Sequence, residues 1–114
     1  MLTTDALRAF GADTDDGLKR CLNNEAFYLK MVAKVPGDVN FQKLYDAMAA
    51  GDMDAAFDAC HAIKGAATNL ALTPLATPVC ELTEILRARK ETDCTALLEA
   101  IRNARNELEA ICAK

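Results

Sequence analysis

The sequence predicts an all-α protein, built as an up-and-down four-helix bundle with short additional helices at its N-terminus. Three observations carry that prediction. Ala, Leu, Lys, Glu and Met, all strong helix formers, dominate a chain with no Trp, two Tyr and four Phe. No stretch shows the sustained period-two alternation of a half-buried strand. Five Gly and three Pro punctuate the chain where helices would end or begin.

A first helix is expected over Thr4–Phe10, stopping at Gly11. Asp13 or Thr14 then caps a second, with Leu18, Cys21 and Leu22 on its inner face, and Asn23-Asn24 breaks it. In a third helix Phe27, Tyr28, Met31, Val32 and Val35 recur at three- and four-residue spacing until Pro36-Gly37 ends it. The fourth covers Val39–Ala50, with Phe41, Leu44, Tyr45 and Met48 inward, and Gly51-Asp52 turns the chain. The fifth runs from Met53 to Leu72, about 20 residues or roughly 30 Å. Two start signals follow, four residues apart: Thr73-Pro74 and Thr77-Pro78 each read as an N-cap with Pro at the first helical position. Either the next helix begins at Thr77, or Pro78 kinks it by clashing with the carbonyl of Pro74. The helical pattern continues from Val79 to Lys90. Thr92 or Asp93 caps a last helix carrying Leu97, Leu98, Ile101, Leu108, Ile111 and Cys112. Short connections make successive long helices antiparallel neighbours.

A chain of 114 residues supports one domain, spanning 1–114. Its 52% apolar and 26% charged residues exclude a disordered chain. No apolar run approaches the roughly 20 residues of a membrane span. The start, Met1-Leu2-Thr3-Thr4-Asp5, lacks the basic stretch and apolar core of a signal peptide. Thirteen basic against 17 acidic residues give a net charge of −4, with no basic stripe, which argues against nucleic acid as a partner. The five cysteines (Cys21, Cys60, Cys80, Cys94 and Cys112) are widely spaced and form no CxxC pair, so neither a zinc site nor a thioredoxin-like site is expected. Scattered thiols acting as small buried hydrophobes suit the reducing cytoplasm. The starting Met and well-formed helix caps favour a free-standing chain.

One constellation carries chemistry. His61 is the only histidine, within Cys60-His61-Ala62-Ile63-Lys64-Gly65-Ala66-Ala67-Thr68-Asn69-Leu70. With His61 at zero on a helical wheel, Asp54, Asp58, Gly65, Thr68, Phe57 and Lys64 all fall within about 60° of it. Ala59, Ile63, Ala66 and Leu70 fall opposite, between about 140° and 200°. A helix of this kind docks its Ala/Ile/Leu face on the bundle and presents the imidazole to water. Gly65 lies one turn beyond His61 on the same side, where a glycine costs roughly 1 kcal/mol relative to Ala. Removing the side chain there uncovers the ring to a large visitor, such as a phosphoryl group with its protein carrier. Lys64 reaches back toward the ring edge, where its ammonium suits phosphoryl oxygens. Phe57 adds an apolar ring one turn earlier, a contact for a docking partner. No metal site is expected: at three- and four-residue spacing only Asp58 is a ligand type, and Lys64 repels a cation.

His61-Ala62-Ile63-Lys64-Gly65-Ala66-Ala67 resembles the signature of histidine-containing phosphotransfer (HPt) domains of bacterial multistep phosphorelays: His, any residue, an apolar residue, Lys, Gly, then two small residues. The resemblance extends to the chain length, the short N-terminal helices, the acid-rich turn Gly51-Asp52-Met53-Asp54 and the two helices after the signature. It implies a four-helix bundle whose exposed His61 accepts a phosphoryl group from a receiver-domain aspartate and passes it to a response regulator. Lys64 would be the electrostatic partner and Gly65 would keep access open. It also implies receiver domains and a sensor or hybrid histidine kinase as partners, with Mg²⁺ needed only in the receiver. Many members carry a Gln or Glu on the next helix that orients the imidazole. That position falls near Thr83, with Glu81 and Glu84 close by, so the orienting residue stays open.

The surface around His61 offers Phe57, Asp58, Lys64 and Thr68 to a partner, together with exposed positions on the third helix such as Lys30 or Lys34. With no phosphate-cradling Gly-rich loop, the chain is expected to be a monomeric, cytoplasmic carrier and not an autonomous kinase. Two other readings remain open at this point. One is a helical interaction adaptor that carries no phosphate, which the fold alone does not separate from a relay. The other is a metal- or haem-binding bundle, weakened by a single His and no paired Glu-x-x-His.

Overall fold

The helices start where the sequence supplies an oxygen for orphan backbone N–H groups. Thr3, Asp13, Asn24, Asp38 and Asp52 each accept a bond from a backbone amide two or three residues on, namely those of Ala6, Asp16, Phe27, Asn40 and Ala55. The computed structural model describes residues 2–113. It contains α1 (Thr4–Phe10), α2 (Thr14–Arg20), α3 (Glu25–Lys34), a 3₁₀ turn (Val35–Gly37), α4 (Val39–Ala50), α5 (Met53–Asn69), α6 (Thr73–Arg87) and α7 (Thr95–Cys112). Gly11 and Gly51 close α1 and α4 in the left-handed conformation, with φ of 112° and 72°, a conformation that favours glycine.

Helices α4 to α7 form the bundle. α5 packs between α4 and α6, and α6 packs on α7. Arg102 and Arg105 join α7 to α4: their guanidinium carbons lie 4.4 Å from the Tyr45 ring centroid and 5.9 Å from that of Phe41. Arg105 Nε also donates to the Pro36 carbonyl at 2.9 Å. The core between them includes Leu44, Cys60, Ile63, Leu75, Val79, Leu82, Ile101 and Leu108. Burying each large aliphatic side chain contributes about 1.5–3 kcal/mol. Among the described residues no helix is long and apolar enough to cross a membrane, and the five cysteines are free thiols.

The N-terminal helices latch onto the corner between α5 and α6. Tyr28 is fully buried, and its hydroxyl donates to the Leu70 carbonyl at 3.0 Å. Burial pushes its phenol up to about 12, which keeps that donor protonated. The backbone N–H of Asp13 donates to the Ala71 carbonyl at 2.9 Å.

Several boundaries differ from the sequence expectation. Leu22, expected on the inner face of α2, is 90% exposed: α2 ends at Arg20, and Leu22 sits in a turn with φ 57°. Phe27 belongs to the apolar repeat of α3 yet is 47% exposed, because Tyr28 and Val32 define the buried side. α5 stops at Asn69 instead of Leu72, since Ala71 turns left-handed at φ 55°. α6 starts at neither expected cap: Leu72 takes the N-cap position, Thr73 is already helical, and the helix continues through a buried Pro78. It ends at Arg87, short of Lys90, where Arg89 turns left-handed at φ 53°. At α7 Cys94 occupies the N-cap position, while Asp93 accepts the backbone N–H of Thr95 at 2.9 Å and its hydroxyl at 2.6 Å.

A Cβ at Gly17 would stand 2.5 Å from the Tyr28 ring. Gly17→Ala should therefore destabilise the protein by about 1–3 kcal/mol, read as a lower urea midpoint with an unchanged m-value.

Candidate functional site

The site is built on α5, and the side on which α6 docks sets its geometry. Cys60 is fully buried, with its sulfur 3.2 Å from the Thr83 hydroxyl and 3.5 Å from the Val79 carbonyl. Burial pushes its thiol up, so it stays protonated there. The next residue is rotated by about 100°, which carries His61 out of the interface into solvent. Ala56, Ala59, Cys60, Ile63 and Ala67 make up the buried face. The expected stripe through Ala59, Ile63 and Ala66 is thus turned toward Cys60 and Ala67, leaving Ala66 half-buried.

That rotation makes the two flanks of His61 unlike. Toward α6, Phe57, Lys64 and Thr68 are half-buried; on the other flank Asp58 and Gly65 are exposed. The His61 ring stacks on Phe57, centroids 5.7 Å apart and planes 11° from parallel. Arg87 of α6 covers Phe57 at 5.4 Å from its centroid. Glu84 pairs with both neighbouring cations: its carboxylate is 3.4 Å from Arg87 Nε and 3.8 Å from Lys64 Nζ. Arg89, just past α6, pairs with Asp54 near the start of α5. The result is an exposed imidazole with an aromatic backing and two nearby cations that share one carboxylate.

Gly65 has open space around it: a Cβ there would meet nothing within 4 Å. Packing inside the chain therefore does not require this glycine. Thr68 differs from the role of a free polar contact, since its hydroxyl donates to the Lys64 carbonyl at 2.8 Å. Thr83, the position nearest that of an orienting side chain, lies in the core and donates to the Val79 carbonyl at 2.7 Å. Glu81 is exposed, and Glu84 is engaged with the two cations. Lys30 and Lys34 are exposed on α3, which packs on the 3₁₀ turn and α2. The cross-helix neighbours of the His61 cluster come from α6. Among the described residues no group of three or more His, Cys, Asp or Glu side chains could hold a metal ion.

Arg87 is the member of this cluster that sequence reasoning did not single out. Its signal was the Glu84–Arg87 spacing of three, a helical ion pair, but only the docking of α6 brings that pair to Phe57. Because the position is open and helical, Gly65→Ala should raise stability by about 0.5–1 kcal/mol, measurable as a higher melting temperature.

A family model described as Hpt domain matches residues 37–113. The matched segment begins at the last residue of the 3₁₀ turn and takes in α4 to α7, so α1 to α3 precede it. No curated protein and no solved structure was found to match the chain.

Proposed function

The chain belongs to the Hpt domain family, and from that premise we propose that it carries a phosphoryl group on His61 between receiver domains of a phosphorelay. The observation that carries this reading is the exposed imidazole, next to a lysine and beside open space at Gly65. An uncharged imidazole nitrogen carries a lone pair that can act as a nucleophile. Nε2, the nitrogen farther from the backbone, attacks the phosphorus of a receiver's aspartyl phosphate. The P–O bond to the aspartyl carboxyl breaks and its electron pair leaves on the carboxylate. The ring keeps the phosphoryl group and releases the proton of its other nitrogen to water. The reverse sequence charges the next receiver. Such transfer has a loose transition state, so the carrier contributes mainly position and charge.

Each neighbour has a part in this reading. The Phe57 ring supports one face of the imidazole. Lys64 lies within one turn of the acceptor and faces the developing phosphoryl charge. Gly65 leaves room for the receiver, whose acidic pocket supplies Mg²⁺. Phe57, Asp58 and Thr68 flank the landing area, with Arg87 above Phe57. The chain acts as a monomeric cytoplasmic carrier without kinase activity of its own, and residues 1–114 form one functional unit.

The test is incubation with a receiver domain charged by acetyl phosphate and Mg²⁺. The wild-type chain should gain an acid-labile, base-stable phosphoryl group. His61→Gln should gain none while keeping its helicity, because the side chain is exposed. Gly65→Leu should slow transfer at least tenfold with undiminished helix content, since the side chain would fill the approach. A wild-type chain that takes no label from several receivers would be an adaptor instead.

A further inference from the structure

Glu84 is acidic, yet it sits among the groups that would meet an incoming anion. Its two carboxylate oxygens are divided between Lys64 Nζ at 3.8 Å and Arg87 Nε at 3.4 Å. Lys64 shares a helix face with His61, and Arg87 lies over Phe57, the ring on which His61 stacks. The side chain of Glu84 is 60% exposed and that of Lys64 31%. Ion pairs this open are weak and exchange readily.

We propose that Glu84 is a counter-ion that restrains phosphorylation of His61 by occupying Lys64 and Arg87, which exchange it for phosphoryl oxygens when the group arrives. This rests on the reading of His61 as acceptor. In the resting protein the two cations and Glu84 sum to one positive charge. A phosphoryl group brings about two negative charges. Glu84 therefore leaves the phosphorylated cluster under-neutralised, which holds the equilibrium toward release. It acts through its two partners and is a positioning residue, not a catalytic one.

Phosphoramidate tests this without any partner protein. Its P–N bond breaks as His61 forms the new one, and ammonia leaves with the ring proton. Glu84→Gln should accept phosphate about threefold faster than wild type at low salt, the scale of a surface charge interaction. The gain should vanish at 1 M salt, where charges are screened over about 3 Å, and should fall by half or more in a Lys64→Met background. A rate equal to or below wild type, or a gain that survives 1 M salt or the loss of Lys64, overturns the role of Glu84. Absence of label from the wild type, or label retained in His61→Gln, overturns the acceptor reading itself and the Glu84 proposal with it. A gain in rate cannot come from simple misfolding.

Discussion

The contact between Cys60 and the Val79–Thr83 turn of α6 is the constraint on which the site depends. It fixes the rotation of α5 against its neighbour. One helical step along, His61 emerges at the edge of that interface, clear of the core but within reach of side chains from α6. A rotation by one further residue would bury the imidazole or remove it from its neighbours altogether. The same contact uses up Thr83, so the α6 side chains that reach the His61 cluster come from its exposed edge, through Glu84 and Arg87.

The groups that hold the fold and those that surround His61 are separate parts of the molecule. The aliphatic core, the carboxylate caps and the buried Tyr28 hydroxyl hold the helices in place. Tyr28 matters beyond its own helix because it grips the carbonyl of Leu70, where α5 ends. α1 to α3 therefore brace the corner from which α6 sets out, although they lie before the segment that matches the Hpt domain family. By contrast, the groups around His61 are half-buried or exposed and held by weak contacts. Contacts this weak exchange readily and leave that surface free to rearrange.

The electrostatic pattern follows the same division. The chain is acidic overall, yet beside the Phe57–His61 stack Lys64 and Arg87 share Glu84 between them, and the Arg89–Asp54 pair lies near the start of α5.

The helical class, the order of the elements, the exposure of His61 and its grouping with Lys64 and Gly65 were legible in the amino-acid sequence alone. All of these follow from local rules: helix propensity, caps and a repeat of 3.6 residues, which act over one or two turns. The apolar repeat also placed Tyr28, Leu44, Ile101 and Leu108 in the core. It misplaced Leu22 and Phe27, because hydrophobicity alone does not say where a short helix stops or which of two adjacent apolar residues wins the interface. The start of α6 was ambiguous for the same reason: two Thr-Pro signals compete locally, and the helix uses neither as its cap, starting after Leu72 with Leu75, Pro78 and Val79 buried. Helix docking settled which α6 side chains join the imidazole's surroundings. Glu84 as a shared counter-ion and Arg87 as a cation over Phe57 arise where α5 and α6 dock, and the relative rotation of two helices follows from packing across the whole interface; the Phe57–His61 stack lies within α5 itself, one turn apart.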